Sequence, residues 1–210
     1  MNEHNDLSGI TVSGVGEVHA SPDVMTLDLS IAPRAESVAE AAAVSARKSK
    51  DLLEILTGRG LRADDIRTIR YALHPEYDHR DGDQRLLGFR VTSTLRVKIR
   101  DLDSAGVTID AAVGAGGDDI TVDGVTYSVE DATAPAARAR EAAWADAITK
   151  AEHLAGLADR QLGPVISIIE SVGRGVGPQP LARLAMEADT PIAPGTSTLT
   201  VTLEARFGLE

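Results

Sequence analysis

Between Met25 and Ile31 the chain alternates strictly: Met25, Leu27, Leu29 and Ile31 are apolar, and Thr26, Asp28 and Ser30 stand between them. A period of two marks a strand with one covered face and one wet face. The stretch before it, ITVSGVGEVHA, alternates through Ile10, Val12 and Val18, with Gly14 and Gly16 in the same phase. Ser21-Pro22-Asp23 then supplies turn chemistry. The pattern predicts a hairpin whose glycines suit a bulge or the close approach of another backbone. Ser37-Val38-Ala39-Glu40 has the form of a capping box. Val38, Ala42, Ser45, Ser49, Leu52 and Leu56 continue at helical spacing towards a C-cap at Gly58.

Two more strands follow. Ile69, Tyr71 and Leu73 alternate, HPEYDHRDGDQR reads as a polar loop, and Leu87, Phe89, Val91, Leu95, Val97 and Ile99 then hold one phase. Asp101 or Asp103 is placed to cap a helix through Leu102, Ala105, Ile109 and Val113, which GAGGDD stops. After Ile120 the apolar phase flips at Gly124, the signature of a bulge. A third helix is predicted from about Pro135 to about Ala158, with Trp144, Ile148, Ala151, Leu154, Ala155 and Ala158 as its buried stripe. Val165 to Val172 is dense enough in Ile and Val to predict a strand covered on both sides. The last strand alternates through Leu199, Val201, Leu203, Ala205 and Phe207.

The order ββα-ββα-β-α-ββ predicts an α+β fold with largely antiparallel sheet and three main helices packed on one face. A long Gly/Pro-rich arm precedes the last strand. Residues 1–8 are expected to be a disordered polar lead. Residues 9–210 are expected to form a single domain, with two intertwined α+β subdomains as the alternative organisation.

Charge and composition narrow the function classes. Acidic residues outnumber basic ones, 32 against 21, so a role in general nucleic-acid binding is disfavoured. The chain has no cysteine, which excludes disulfides, thiolate metal sites and cysteine nucleophiles. No stretch approaches the roughly 20 apolar residues of a membrane helix. MNEHNDLSG lacks the features of a secretory signal, and the sequence as written is expected to be cytoplasmic.

Candidate chemistry is sparse. His74, Glu76, Asp78 and His79 offer two imidazoles and two carboxylates in one predicted loop, a set able to bind a divalent ion. A solvated hairpin loop explains the same residues. Gly173-Arg174-Gly175-Val176-Gly177 follows a strand but lacks the Gly-Lys-Ser/Thr ending of a phosphate loop. It reads better as the start of a connector, with Arg174, Leu181 and Leu184 as candidate contacts to a neighbour. No Gly-x-Ser-x-Gly elbow is present. Asp64-Asp65 and Asp118-Asp119 fall at turns ahead of strands. Arg90, Arg96 and Lys98 form a basic row on the wet face of the long strand, suited to acidic groups of a neighbouring strand or another subunit. The carboxy-terminal strand is one candidate neighbour. No catalytic set and no cofactor are expected.

The stretches ITVSGVGEVHASPDVMTLDLSI, IRYALHPEYD, LLGFRVTSTLRVKIRDLDSAGVTIDAAVGAGGDDI, ARAREAAWADAITKAEHLAGLA, LGPVISIIE and TPIAPGTSTLTVTLEARF together resemble the SIMPL-domain family, in order and over nearly the whole chain. That family includes periplasmic immunogenic antigens of Gram-negative pathogens. The resemblance implies an α+β fold and, from some members, large ring- or channel-like homo-oligomers. It also implies roles in envelope stress tolerance or partner binding, with no established catalytic motif. The reading it favours is a non-enzymatic, self-assembling protein. The alternative is a small-ligand or metal-binding protein, or an enzyme, using the His74–His79 loop.

Overall fold

The computed structural model describes residues 9–78, 84–174 and 195–210. In chain order its strands and α-helices are β1 (Ile10–Ala20), β2 (Val24–Ile31), β3 (Arg34–Ala35), α1 (Val38–Gly58), β4 (Ile66–Asp78), β5 (Arg85–Ile99), α2 (Ala105–Gly116), β6 (Ile120–Ser128), α3 (Thr133–Leu157), β7 (Leu162–Arg174) and β8 (Ser197–Leu209). They form two compact units, with crossings between Ser21 and Pro22 and between Ser128 and Val129. The α+β class and the antiparallel sheets are as the hydrophobic pattern predicts; the two-residue β3 is an addition to it.

The second unit, from Pro22 to Ser128, contains an antiparallel sheet in the order β6-β2-β5-β4, with β3 pairing β5 beyond the end of β2. Met25, Leu27, Leu29 and Ile31 of β2 join Leu95, Val97 and Ile99 of β5 in one core with Leu52 and Leu56 of α1 and Ile109 and Ala112 of α2. Burying each of the larger side chains stabilises by about 1.5–3 kcal/mol. Both helices therefore lie against one face of this sheet. Helix α1 begins as its capping box predicts: the Ser37 hydroxyl accepts from the Glu40 amide at 3.2 Å. Its buried stripe is Ala41, Ser45, Leu52 and Leu56, while Val38 is exposed. The N-cap of α2 is Ser104, not Asp101 or Asp103, and its side chain makes no capping bond. Short 3-10 turns hold Asp64-Asp65 and Asp118-Asp119 just ahead of β4 and β6.

Bulges interrupt both edge strands of this sheet. Opposite Asp28 and Leu29, β6 steps from Gly124 to Val122 and leaves Asp123 as the extra residue, which is the bulge the phase flip predicts. On β4 the register steps from Thr68 to Arg70 and leaves Ile69 over.

The first unit contains the antiparallel sheet β1-β8-β7 with α3 on one face. The predicted hairpin between the first two strands does not form. β1 instead pairs along its whole length with β8 at the other end of the chain, from Ile10 opposite Phe207 to Ala20 opposite Ser197. Ser21-Pro22-Asp23 carries the chain from one unit to the other. The glycines of β1 do mark a close backbone approach: a Cβ at Gly14 would collide with the carbonyl oxygen of Ala143, and one at Gly16 with that of Ala139. The buried stripe of α3 follows from this contact. It consists of Ala139, Ala143, Ala147, Ala151 and Ala155, and Trp144 and Ile148 pack at its flank. Leu154, predicted to be buried, is exposed. Only alanine lets the helix axis come down onto glycine, so the small residues take the centre and the tryptophan moves to the side, where its ring lies 5.8 Å from that of Phe207.

Candidate functional site

A sheet's edge strands present unpaired backbone groups, and how a protein treats them tells where a further strand can add. The β1 edge is occupied by α3. The Val15 amide donates to Asp146 Oδ2 at 2.8 Å, and Lys150 Nζ donates to the Ser13 carbonyl at 2.9 Å. Lys150 also bonds Asp146 at 2.7 Å, so one ion pair covers a donor and an acceptor of the same edge. Lys150 and the Val15 amide hold the Asp146 carboxyl below its ordinary range.

The β7 edge has no such cover among the described residues. After irregularities within its first six residues, β7 runs in unbroken register from Ser167 opposite Arg206 to Arg174 opposite Leu199. Helix α3 lies along β1 and β8; among the described residues it meets β7 at Leu162, which packs beside Ala147 and Ala151, and through one tether, in which Arg140 donates from Nε and Nη2 to both Glu170 oxygens at 2.9 and 2.7 Å. That pair lowers the Glu170 carboxyl and raises the Arg140 guanidinium. It also neutralises the only charge between Leu162 and Val172.

What remains on β7 is apolar and wet. Val165, Ile166, Ile168 and Ile169 are 43, 54, 53 and 60% exposed. The expectation of a strand covered on both sides is therefore corrected. Among the described residues β7 is an edge strand; Ile168 stands opposite Ala205 on the helix side of the sheet and Ile169 opposite Glu204 on the other, and both are more than half exposed. One sequence signal pointed this way: Pro164 lacks an amide hydrogen, and proline inside a sheet is confined to edges and strand starts. The other two sheet edges are guarded. β4 carries Arg67, Arg70, Pro75 and two register shifts, and β6 carries Asp123 and one.

Arg90 and Arg96 of the basic row on β5 find their acids within the second unit. Arg96 donates from Nε and Nη2 to the two Asp28 oxygens at 2.7 Å each, and Arg90 gives Nη2 to both Glu76 oxygens at 3.0 Å. The acidic neighbours lie on β2 and β4. The carboxy-terminal strand, considered as a neighbour from sequence, lies instead between β1 and β7. Lys98 stands on the same face, opposite Thr26. The guanidinium of Arg96 holds the Asp28 carboxyl below its ordinary range, more than burial raises it.

His74, Glu76 and Asp78 are not loop residues: β4 continues to Asp78, paired with Arg85. Glu76 is engaged by Arg90, with Arg34 4.0 Å away. No group of three or more metal-binding side chains gathers among the described residues. His79, Leu181, Leu184 and the side chain of Arg174 lie outside the described residues.

Residues 10–207 match the model of a family described as SIMPL, protein of unknown function (DUF541). The chain belongs to the SIMPL family. It is 32% identical over 188 residues to the uncharacterized protein YggE of Escherichia coli K12, a match covering 90% of this chain and 75% of YggE. The YggE of Edwardsiella ictaluri is 31% identical over 189 residues, covering 90% of this chain and 77% of that protein. The 26 kDa periplasmic immunogenic protein of Brucella melitensis is 30% identical over 215 residues, covering 96% of this chain and 84% of the relative. The SIMPL match runs from the first residue of β1 to the penultimate stretch of β8, so it takes in both units.

Proposed function

We propose that this SIMPL chain acts without catalysis, by assembling with copies of itself through strand addition at β7. The observation that carries the reading is the unequal treatment of the two edges of the first unit's sheet. Asp146 and Lys150 cover β1, whereas β7 offers an eight-residue run in regular register flanked by exposed isoleucine. An open edge takes an extended strand by main-chain hydrogen bonding, and alternate side chains set the fit. A second copy always supplies the same strand, with Ile168 and Ile169 on opposite faces and its one carboxylate, Glu170, already paired with Arg140. Larger closed assemblies and binding to another protein remain further proposals on the same edge. A cysteine-free chain has no disulfide to form or lose, so the reading holds in the cytoplasm and in the periplasm named for the Brucella relative.

The test is the native mass by light scattering coupled to size exclusion, with Ile169→Lys beside the parent chain. Ile169 is 60% exposed, so lysine there leaves the unit's own core intact. The parent is expected to run as an oligomer and Ile169→Lys as a smaller species of unchanged circular dichroism. A parent chain that is monomeric at every concentration would overturn the reading.

A further inference from the structure

Both helices of the second unit cover one face of its sheet, and the other face is polar. The two bulges act on that polar face. Residues three apart on a regular strand point to opposite faces, but the extra Ile69 brings Arg67 and Arg70 to the same one, opposite Arg96 and Thr94. On the far edge the bulge at Asp123 lets its carboxylate accept from the Ser30 hydroxyl. Ser30 also bonds Thr94 at 2.7 Å. Since the Ser30 proton goes to Asp123, Thr94 must donate to Ser30, and the chain of protons runs Thr94 to Ser30 to Asp123. Asp123 thus accepts from the Ser30 hydroxyl and makes no ion pair with an arginine among the described residues.

Arg67, Arg70 and Arg96 crowd this part of the face, and Arg67 stands directly across from Arg96, a like-charge pairing that destabilises a sheet unless it is neutralised. Asp28 supplies one negative charge, both of its oxygens bonded by Arg96, and Arg67 acts on it only through space. Glu76 is taken up by Arg90. Arg70 makes no ion pair among the described residues. Arg67, Arg70 and Arg96 against Asp28 and Asp123 still leave a surplus of one positive charge here, on a chain whose formal charge is -11. Exposed guanidinium forks match the oxygens of a phosphate group.

We infer that the bulge in β4 builds an oxyanion site, in which Arg67 and Arg70 hold the dianionic phosphate group of a small phosphate monoester or free phosphate against the polar face of the second unit. The site is separate from the β7 edge and does not depend on assembly.

The experiment is a titration of the full chain, followed by backbone amide chemical shifts at constant ionic strength. Inorganic phosphate, methyl phosphate and acetate are the three probes, applied to the parent and to the double variant Arg67→Gln/Arg70→Gln. Saturable shifts on β4 and the facing part of β5 are expected with a phosphate probe. The double variant, at least as stable because both residues are exposed and Arg67 faces Arg96, should bind about tenfold more weakly or not at all. A tighter response to methyl phosphate assigns the monoester, and a tighter response to inorganic phosphate assigns the free ion. Unsaturating shifts, equal shifts with acetate, or undiminished binding by a folded double variant would each overturn the inference.

Discussion

Gly14 and Gly16 are the residues on which the first unit most depends. Gly14 faces the backbone of Ala143 and Ala147 at a distance that admits no Cβ. Gly14→Ala must therefore push α3 off the sheet along its alanine stripe, and a loss of more than about 3 kcal/mol in urea unfolding is expected. The close approach was legible because two glycines in the apolar phase of a strand leave little else to explain them. The helix that makes the approach was not, since helical spacing alone favours Trp144 and Leu154 over the smaller alanines. Asp28 gives a second prediction at this scale. The Arg96 guanidinium lowers its carboxyl in the folded chain, so its contribution is present above the unfolded carboxylate range near ~3.9 and is lost as pH falls through the lower folded value. Asp28→Asn should flatten the fall of the urea midpoint below about pH 4, and an unchanged acid limb would contradict the pairing.

At the scale of elements, the two edges of the β1-β8-β7 sheet behave oppositely, and a variant can exchange their behaviour. Asp146→Ala/Lys150→Ala removes the cover from the Val15 amide and the Ser13 carbonyl. The variant should fold yet gain a new, concentration-dependent association, read as added mass that persists when Ile169→Lys is combined with it. Strand positions, the capping box of α1 and the bulge at Gly124 were readable because each is written in a local pattern. Pairing was not. β1 closes on β8 nearly the full length of the chain away, and no period in β1 names its partner. The misreading of β7 has the same cause: a run of Val and Ile looks alike whether its faces are covered or left to solvent.

For the molecule as a whole, the SIMPL assignment rests on a match through both units, and the antiparallel α+β architecture follows from patterns visible along the sequence. The polar face of the second unit was half legible. Arg90, Arg96 and Lys98 declared themselves by alternation, but Arg67 and Arg70 join that face only through a bulge that shows up in the register. A net charge of -11 opposes association at long range, so any assembly must be held by short-range strand pairing and apolar contact, and added salt should strengthen it. The measurement that reaches this account most directly is amide hydrogen exchange across residues 167–174 as a function of protein concentration. Strand addition at β7 predicts slow exchange at high concentration that speeds up on dilution, while β8 stays protected throughout. Fast exchange along the outer amides of β7 at every concentration would contradict it.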